Sequence, residues 1–232
     1  KDRNKILSIL KERGYYFADI TSEIESIGNN KLNLKYKINL GEKSKIKKIS
    51  FVGNKVYKDK KLKNVIISEE SKFWKFISGK KYLNENIINL DKRLLKNFYL
   101  NKGYYDAEIN SSFARFVDKN NFEIIYNINA KEKFYFDKIK LELTDDYDKN
   151  NFSKLNDEFD DLQNKPYSIN RIEKIINKIE RIALDEQFES VKVNTLENIN
   201  GNKINLIFKI EDTEKFFVEK INIFGNNVTE ET

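Results

Sequence analysis

Nine lysines and a single aspartate fall between residues 43 and 63, a local charge of +8. Ammonium groups at that density neutralise phosphates, so Lys43, Lys45, Lys47, Lys48, Lys55, Lys58, Lys60, Lys61 and Lys63 form a candidate basic patch for nucleic acid, anionic lipid or an acidic protein partner. A second run, "DDYDKNNFSKLNDEFDD", is acidic enough to attract Ca²⁺ loosely, yet it lacks the spacing and central glycine of an EF-hand loop, and no metal site is assigned to it. Elsewhere the chain is poor in reactive groups. It holds no histidine and no cysteine, which removes the commonest general base, the thiol nucleophile and most transition-metal ligand sets. The aspartates and glutamates follow exposed helix faces and loops. Isolated glycines such as Gly53 and Gly79 make no phosphate cradle. These residues point to binding and away from catalysis, with no cofactor.

The elements that must position such groups recur. In "IKKISFV" Ile49 and Phe51 share a strand face that ends at Gly53-Asn54, and a short helix carrying Leu62, Val65 and Ile66 follows Asp59. A longer helix places Ile87, Leu90, Leu94, Leu95 and Phe98 on one side and leaves Asp91, Lys92, Lys96 and Asn97 for water. Gly103 suits the end of that helix. Two strands come next: "DAEINSSFARF", which alternates until a phase change at Phe116 that would suit a β-bulge, and "FEIIYNINA", with Phe122, Ile124, Tyr126 and Ile128 alternating throughout. The order then returns. Ile139, Leu141 and Leu143 mark a strand, "NFSKLNDEF" a short helix, Ile172, Ile175, Ile176, Ile179 and Ile182 a long one after Pro166, and "FESVKVNTL" and "KINLIFKI" two closing strands. Strand positions Ile49, Ile139 and Ile221 are spaced 90 and 82 residues apart. The repeat is a β-α-α-β-β unit, present twice in full and twice in part.

The segments "IKKISFVGNKVY", "LLKNFYLNKGYYDAEI", "YNINAKEKFYFDKIKL" and "FKIEDTEKFFVEKINIFGN" together strongly resemble POTRA domains, the polypeptide-transport-associated repeats of the BamA family of outer-membrane assembly factors. The likeness covers essentially the whole chain. Two departures fall in the fourth repeat, where "LTDDY" replaces Gly-Asn and Asp185-Glu186-Gln187-Phe188 replaces the usual Gly-Tyr. The resemblance implies an α+β fold of tandem POTRA domains, each with two helices on a three-stranded mixed sheet. It divides the chain into the end of a second repeat (1–42), a third (43–131), a fourth (132–214) and the opening strand of a fifth (215–232).

It further implies a periplasmic, non-enzymatic segment that precedes a membrane β-barrel in the same full-length chain. The expected partners are unfolded outer-membrane β-barrel precursors and accessory assembly lipoproteins, with an anionic membrane surface as a further candidate. A related secretion or translocation protein is the neighbouring alternative, and a basic α+β nucleic-acid-binding module is the alternative of another class, less favoured because no RNA-reading motif is present. In POTRA domains the second strand of the unit is an edge able to pair with an extended chain. That role carries over to Asp106, Ala107, Glu108, Ile109, Asn110, Ser111, Ser112, Phe113, Ala114, Arg115 and Phe116, and in the fourth repeat to Phe188, Glu189, Ser190, Val191, Lys192, Val193, Asn194, Thr195 and Leu196. On this reading a proline at Asn110 removes one donor from the edge and blocks pairing.

Overall fold

Alternation and helical spacing become two three-stranded sheets, each covered by two helices, and a two-stranded hairpin. The computed structural model describes residues 2–28, 31–72, 79–115, 120–145, 147–185 and 191–212. The chain divides into two compact units: residues 1–135 with Pro166–Ile169, and the remainder from Phe136.

The first unit opens with helix α1 (Asp2–Glu12) and an antiparallel hairpin of β1 (Asp19–Ser26) and β2 (Leu32–Asn39). Its Ile24, Leu32 and Leu34 stay more than half exposed on this two-stranded sheet. Strand β3 (Lys45–Asn54), helices α2 (Asp59–Lys63) and α3 (Glu85–Leu100), and strands β4 (Glu108–Arg115) and β5 (Asn121–Asn129) follow. The sheet order is β3-β5-β4, with β3 parallel and β4 antiparallel to the central β5. Ile49, Phe51, Phe122, Ile124, Tyr126 and Ile128 form the inner sheet face, all at most 3% exposed. Register is regular across β4; a shift falls instead in β3, between Ile46 and Lys48. The bulge expected near Phe116 lies outside the described residues.

Helix α3 is turned by about one residue from the face its hydrophobic spacing predicts. Ile88, Asp91, Leu95 and Tyr99 are buried, while Leu90, Leu94 and Phe98 are half-buried at its flank. The rotation seats Leu95 at the sheet, where full burial of one leucine contributes about 2 kcal/mol. It also carries Asp91, expected in water, to complete burial. Asn84 starts the helix by accepting bonds from the amides of Asn86 and Ile87 at 2.9 and 3.1 Å, the expected N-cap arrangement.

Two glycines are required by geometry. At Gly53, φ is +86° and a Cβ would stand 2.5 Å from both Asn127 Oδ1 and the Ile128 carbonyl oxygen, so β3 approaches β5 as no other residue would allow. At Gly103, φ is +94°, which turns the chain out of α3 and lets Tyr104 pack edge-on against Tyr99 with ring centroids 5.6 Å apart.

In the second unit, β6 (Tyr135–Glu142, of which Tyr135 groups with the first unit), α4 (Lys154–Leu162), α5 (Ile169–Asp185), β7 (Val191–Asn200) and β8 (Lys203–Asp212) give the order β6-β8-β7. Phe136, Leu155, Phe159, Ile172, Ile175, Ile179, Ile204, Leu206 and Phe208 make its core. Leu141 is only half-buried. The opening strand expected from residue 215 lies outside the described residues.

Candidate functional site

Which backbone groups an edge strand offers follows from the pairing of its neighbour. In the central strand and its extensions, the amide of Ala130 donates to Asn54 O at 3.1 Å and the carbonyl of Asn120 accepts from Lys45 N at 2.7 Å, so even-numbered positions of β5 bond to β3. Odd-numbered positions therefore serve β4. Since Asn110 stands opposite Asn127 and Ser112 opposite Ile125, both are turned inward to the ladder. Ile109 and Ser111 point their N–H and C=O groups outward. A proline at Asn110 would thus break the β4–β5 ladder and leave the edge donors in place, contrary to the expectation drawn from the sequence.

Lys96, on α3, caps the near end of this edge. Its Nζ donates to the carbonyls of Tyr105 at 2.9 Å and Ala107 at 2.6 Å, both outward acceptors. Burial holds this ammonium below the ordinary lysine range, with Asp106 and Glu108 partly restoring it. Beyond Lys96 a groove of about 1070 Å³ runs between α3 and β4, walled by Asn86, Asn89, Lys92, Arg93 and Asn97 on one side and by Ala107 to Asn110 on the other. Ser111 and Ser112 continue it beside Glu85 and Ile88. Amide and cationic side chains beside free backbone groups suit an extended peptide, whose main chain would pair with β4 while its side chains meet α3.

The first candidate edge therefore falls mainly on one strand, with Asp106 and Ala107 just before it and Phe116 outside the described residues. Of the second, Val191 to Leu196 lie on β7, which ends the order β6-β8-β7; Phe188, Glu189 and Ser190 lie outside the described residues.

The basic run is taken apart by the fold. Lys48 pairs with Glu123 at 2.9 Å, Lys55 with Asp59, and Lys63 with Glu70. Lys43 lies over the rings of Tyr15 and Tyr82, and Lys61 over those of Tyr57 and Phe98. Lys45, Lys47, Lys58 and Lys60 remain exposed without ion pairs among the described residues. The groups left without a carboxylate or ring partner among the described residues number four of the nine.

Asp91 is a group that sequence reasoning missed. Its carboxyl oxygens accept from the amides of Ile67 at 2.6 Å and Ser68 at 3.3 Å and from the hydroxyl of Tyr126 at 2.7 Å. Burial, then the neighbouring Asp91, pushes the Tyr126 hydroxyl far above its ordinary range. The segment pinned by Asp91 leads to Glu70, which accepts from the Ile49 amide at 3.0 Å. The available signal was the i, i+3, i+7 spacing of Ile88, Asp91 and Leu95.

A family model for POTRA, described as surface antigen variable number repeat, matches residues 44–131. Among curated proteins, the outer membrane protein assembly factor BamA of Neisseria meningitidis serogroup B is 26% identical over 97% of this chain, and BamA of Buchnera aphidicola subsp. Acyrthosiphon pisum is 26% identical over 88%. The chain spans 29% and 33% of the length of these two relatives. The crystal structure of Haemophilus influenzae BamA POTRA3-5 matches with a TM-score of 0.55 at 17% identity, covering 90% of this chain and 78% of that one, a likeness of fold.

Proposed function

We propose that the chain is a tandem POTRA-domain segment of the BamA family and that it is a non-enzymatic receiving module of an outer-membrane β-barrel assembly machine. It works in the periplasm, where extended segments of unfolded barrel precursors or of accessory lipoproteins add to the outer edge of β4. Its repeats divide at about residues 42, 131 and 214, and the full-length chain continues into a membrane β-barrel.

The observation that carries this reading is the β4 edge from Ile109 onward, whose outer backbone groups no described residue covers, bounded by the Lys96 cap and lying along the groove beside α3. Main-chain pairing asks little of a client's sequence, which suits a receiver of many different precursors. The polar side chains of Asn110 and Ser112, exposed on the open sheet face, keep the same edge soluble between clients. Among the described residues no helix is long and apolar enough to cross a membrane.

The test compares Ser111→Pro with Ser111→Ala in the full-length protein. Proline at this position removes one outward donor without touching the β5 ladder, whereas alanine changes only the side chain. With both variants folded by circular dichroism, crosslinking to an unfolded barrel precursor or an accessory lipoprotein falls for the proline variant and stays near the parent level for alanine. Equal crosslinking rejects β4 as the receiving edge.

A further inference from the structure

The opening strands of the two units treat their outer edges differently. On β3 the outward carbonyl of Ile46 accepts from Ser71 N at 2.7 Å, the outward amide of Ile49 donates to Glu70 Oε1, and Lys45 bridges to Tyr82. This cover takes length: residues 64–84 separate α2 from α3, and Asp91 holds their first stretch in place. In the second unit only residues 163–168 separate α4 from α5. They reach the start of β6, where the Phe136 amide donates to Lys165 O at 2.9 Å and Phe136 O accepts from Asn164 N at 2.8 Å. They go no further.

The amide of Lys138 turns to the other side, donating to Asn205 Oδ1 on β8 at 3.0 Å. The phase therefore breaks between Phe136 and Lys138, alternation from Lys138 turns Ile139 and Leu141 outward, and no described residue covers their outer groups. Beside them lies a cleft of about 510 Å³ between β6 and α4, lined by the half-buried Ile139, Leu141 and Leu143, by the buried Phe152 and Phe159, and by the polar Lys149, Ser153 and Asn156. The opposite sheet face is cationic at this edge. Asp137 and Glu142 are engaged by Lys203 at 3.5 Å and Lys209 at 2.9 Å, while Lys138 and Lys140 are exposed and make no ion pair among the described residues.

We propose that Lys138 to Glu142 of β6 is a second strand-accepting edge, selective for an extended segment of another polypeptide in which apolar and acidic residues alternate. The apolar residues of that segment enter the cleft against Leu141 and Phe152, and its acidic residues stand across from Lys138 and Lys140 on the open face. The β4 edge, beside asparagines and cations on its helix side, selects differently.

The test uses the intact, isotope-labelled chain and two short synthetic peptides of equal length, one alternating valine with aspartate and the other valine with lysine. The aspartate peptide is expected to shift the amide signals of Ile139 and Leu141 and to bind roughly threefold to tenfold more tightly than the lysine peptide. The exposed double substitution Lys138→Glu, Lys140→Glu reverses that order. Leu141→Pro, compared with Leu141→Val once both are shown to be folded, weakens binding of the aspartate peptide. Failure of the aspartate peptide to bind, equal binding of the two peptides, shifts confined to β4, or indifference to the charge reversal overturns the proposal.

Discussion

Replacing Asp91 by alanine should cost the first unit about 3 to 6 kcal/mol. Three donors converge on its carboxyl group, the amides of Ile67 and Ser68 and the Tyr126 hydroxyl. Each buried donor left without an acceptor costs about 1 to 3 kcal/mol. The lower half of the summed range applies because Ile67 is only half-buried and can turn to water. Against a typical domain stability of about 5 to 15 kcal/mol, such a loss brings the unit close to unfolding. Asp91→Asn keeps one acceptor oxygen and should cost less, about 1 to 3 kcal/mol. Tyr126→Phe removes a single bond and costs about 1 to 2 kcal/mol, and combining it with Asp91→Asn should give less than the sum because the two residues share that bond. Urea unfolding followed through the NMR amide signals of Leu95 and Tyr126, both buried in the first unit, reports the midpoint and slope for that unit. Hydrogen exchange adds a local readout, since releasing the segment pinned by Asp91 should speed exchange at the Ile49 amide, which Glu70 otherwise holds. A loss below about 1 kcal/mol for Asp91→Ala, with Ile49 still protected, would refute the assignment of Asp91 as the anchor of the β3 cover.

Acid should loosen the same cover by another route. Burial works to raise the Glu70 carboxyl, but the bonds from Lys63 and the Ile49 amide and the charges of Lys63 and Lys72 outweigh it and hold the group below its ordinary value. A depressed carboxyl contributes stability that is present above its unfolded value of 4.5 and lost as pH falls through the folded one, so Ile49 protection should decline in acid and Glu70→Gln should flatten that decline. Gly53→Ala should destabilise the first unit by several kcal/mol, because its Cβ meets backbone at 2.5 Å in a conformation that disfavours side chains; a thermal midpoint equal to the parent's would contradict the close approach of β3 to β5. For the dispersed lysines, fluorescence anisotropy with a labelled oligonucleotide should show no tight saturable binding at physiological salt, and submicromolar affinity there would revive the nucleic-acid reading.

The repeat order, the inner faces of β5 and β8 and the buried stripe of α5 were legible in the sequence because they depend on local periods of two and about 3.6 residues. Phe122, Ile124, Tyr126 and Ile128 alternate without a break and all end buried, and Ile172, Ile175 and Ile179 keep one helical face. The resemblance to POTRA repeats likewise rested on motifs with local reasons, such as Gly53 at the close approach of two strands and Gly103 at a helix end. Other outcomes needed partners far away in the chain. Asp91 reads as a surface residue until Ile67, Ser68 and Tyr126, up to 35 positions distant, converge on it. The nine lysines read as one patch until Glu70, Glu123 and the rings of Tyr15, Tyr57, Tyr82 and Phe98 draw off four of them. Alternation along β4 separates two faces of a sheet, but which of Asn110 and Ser111 offers its amide to a newcomer is settled by the phase of β5 between its two neighbours. Periodicity is a property of one segment, whereas burial of a polar group, the pairing of a charge and the direction of a backbone donor belong to what the tertiary structure sets beside it.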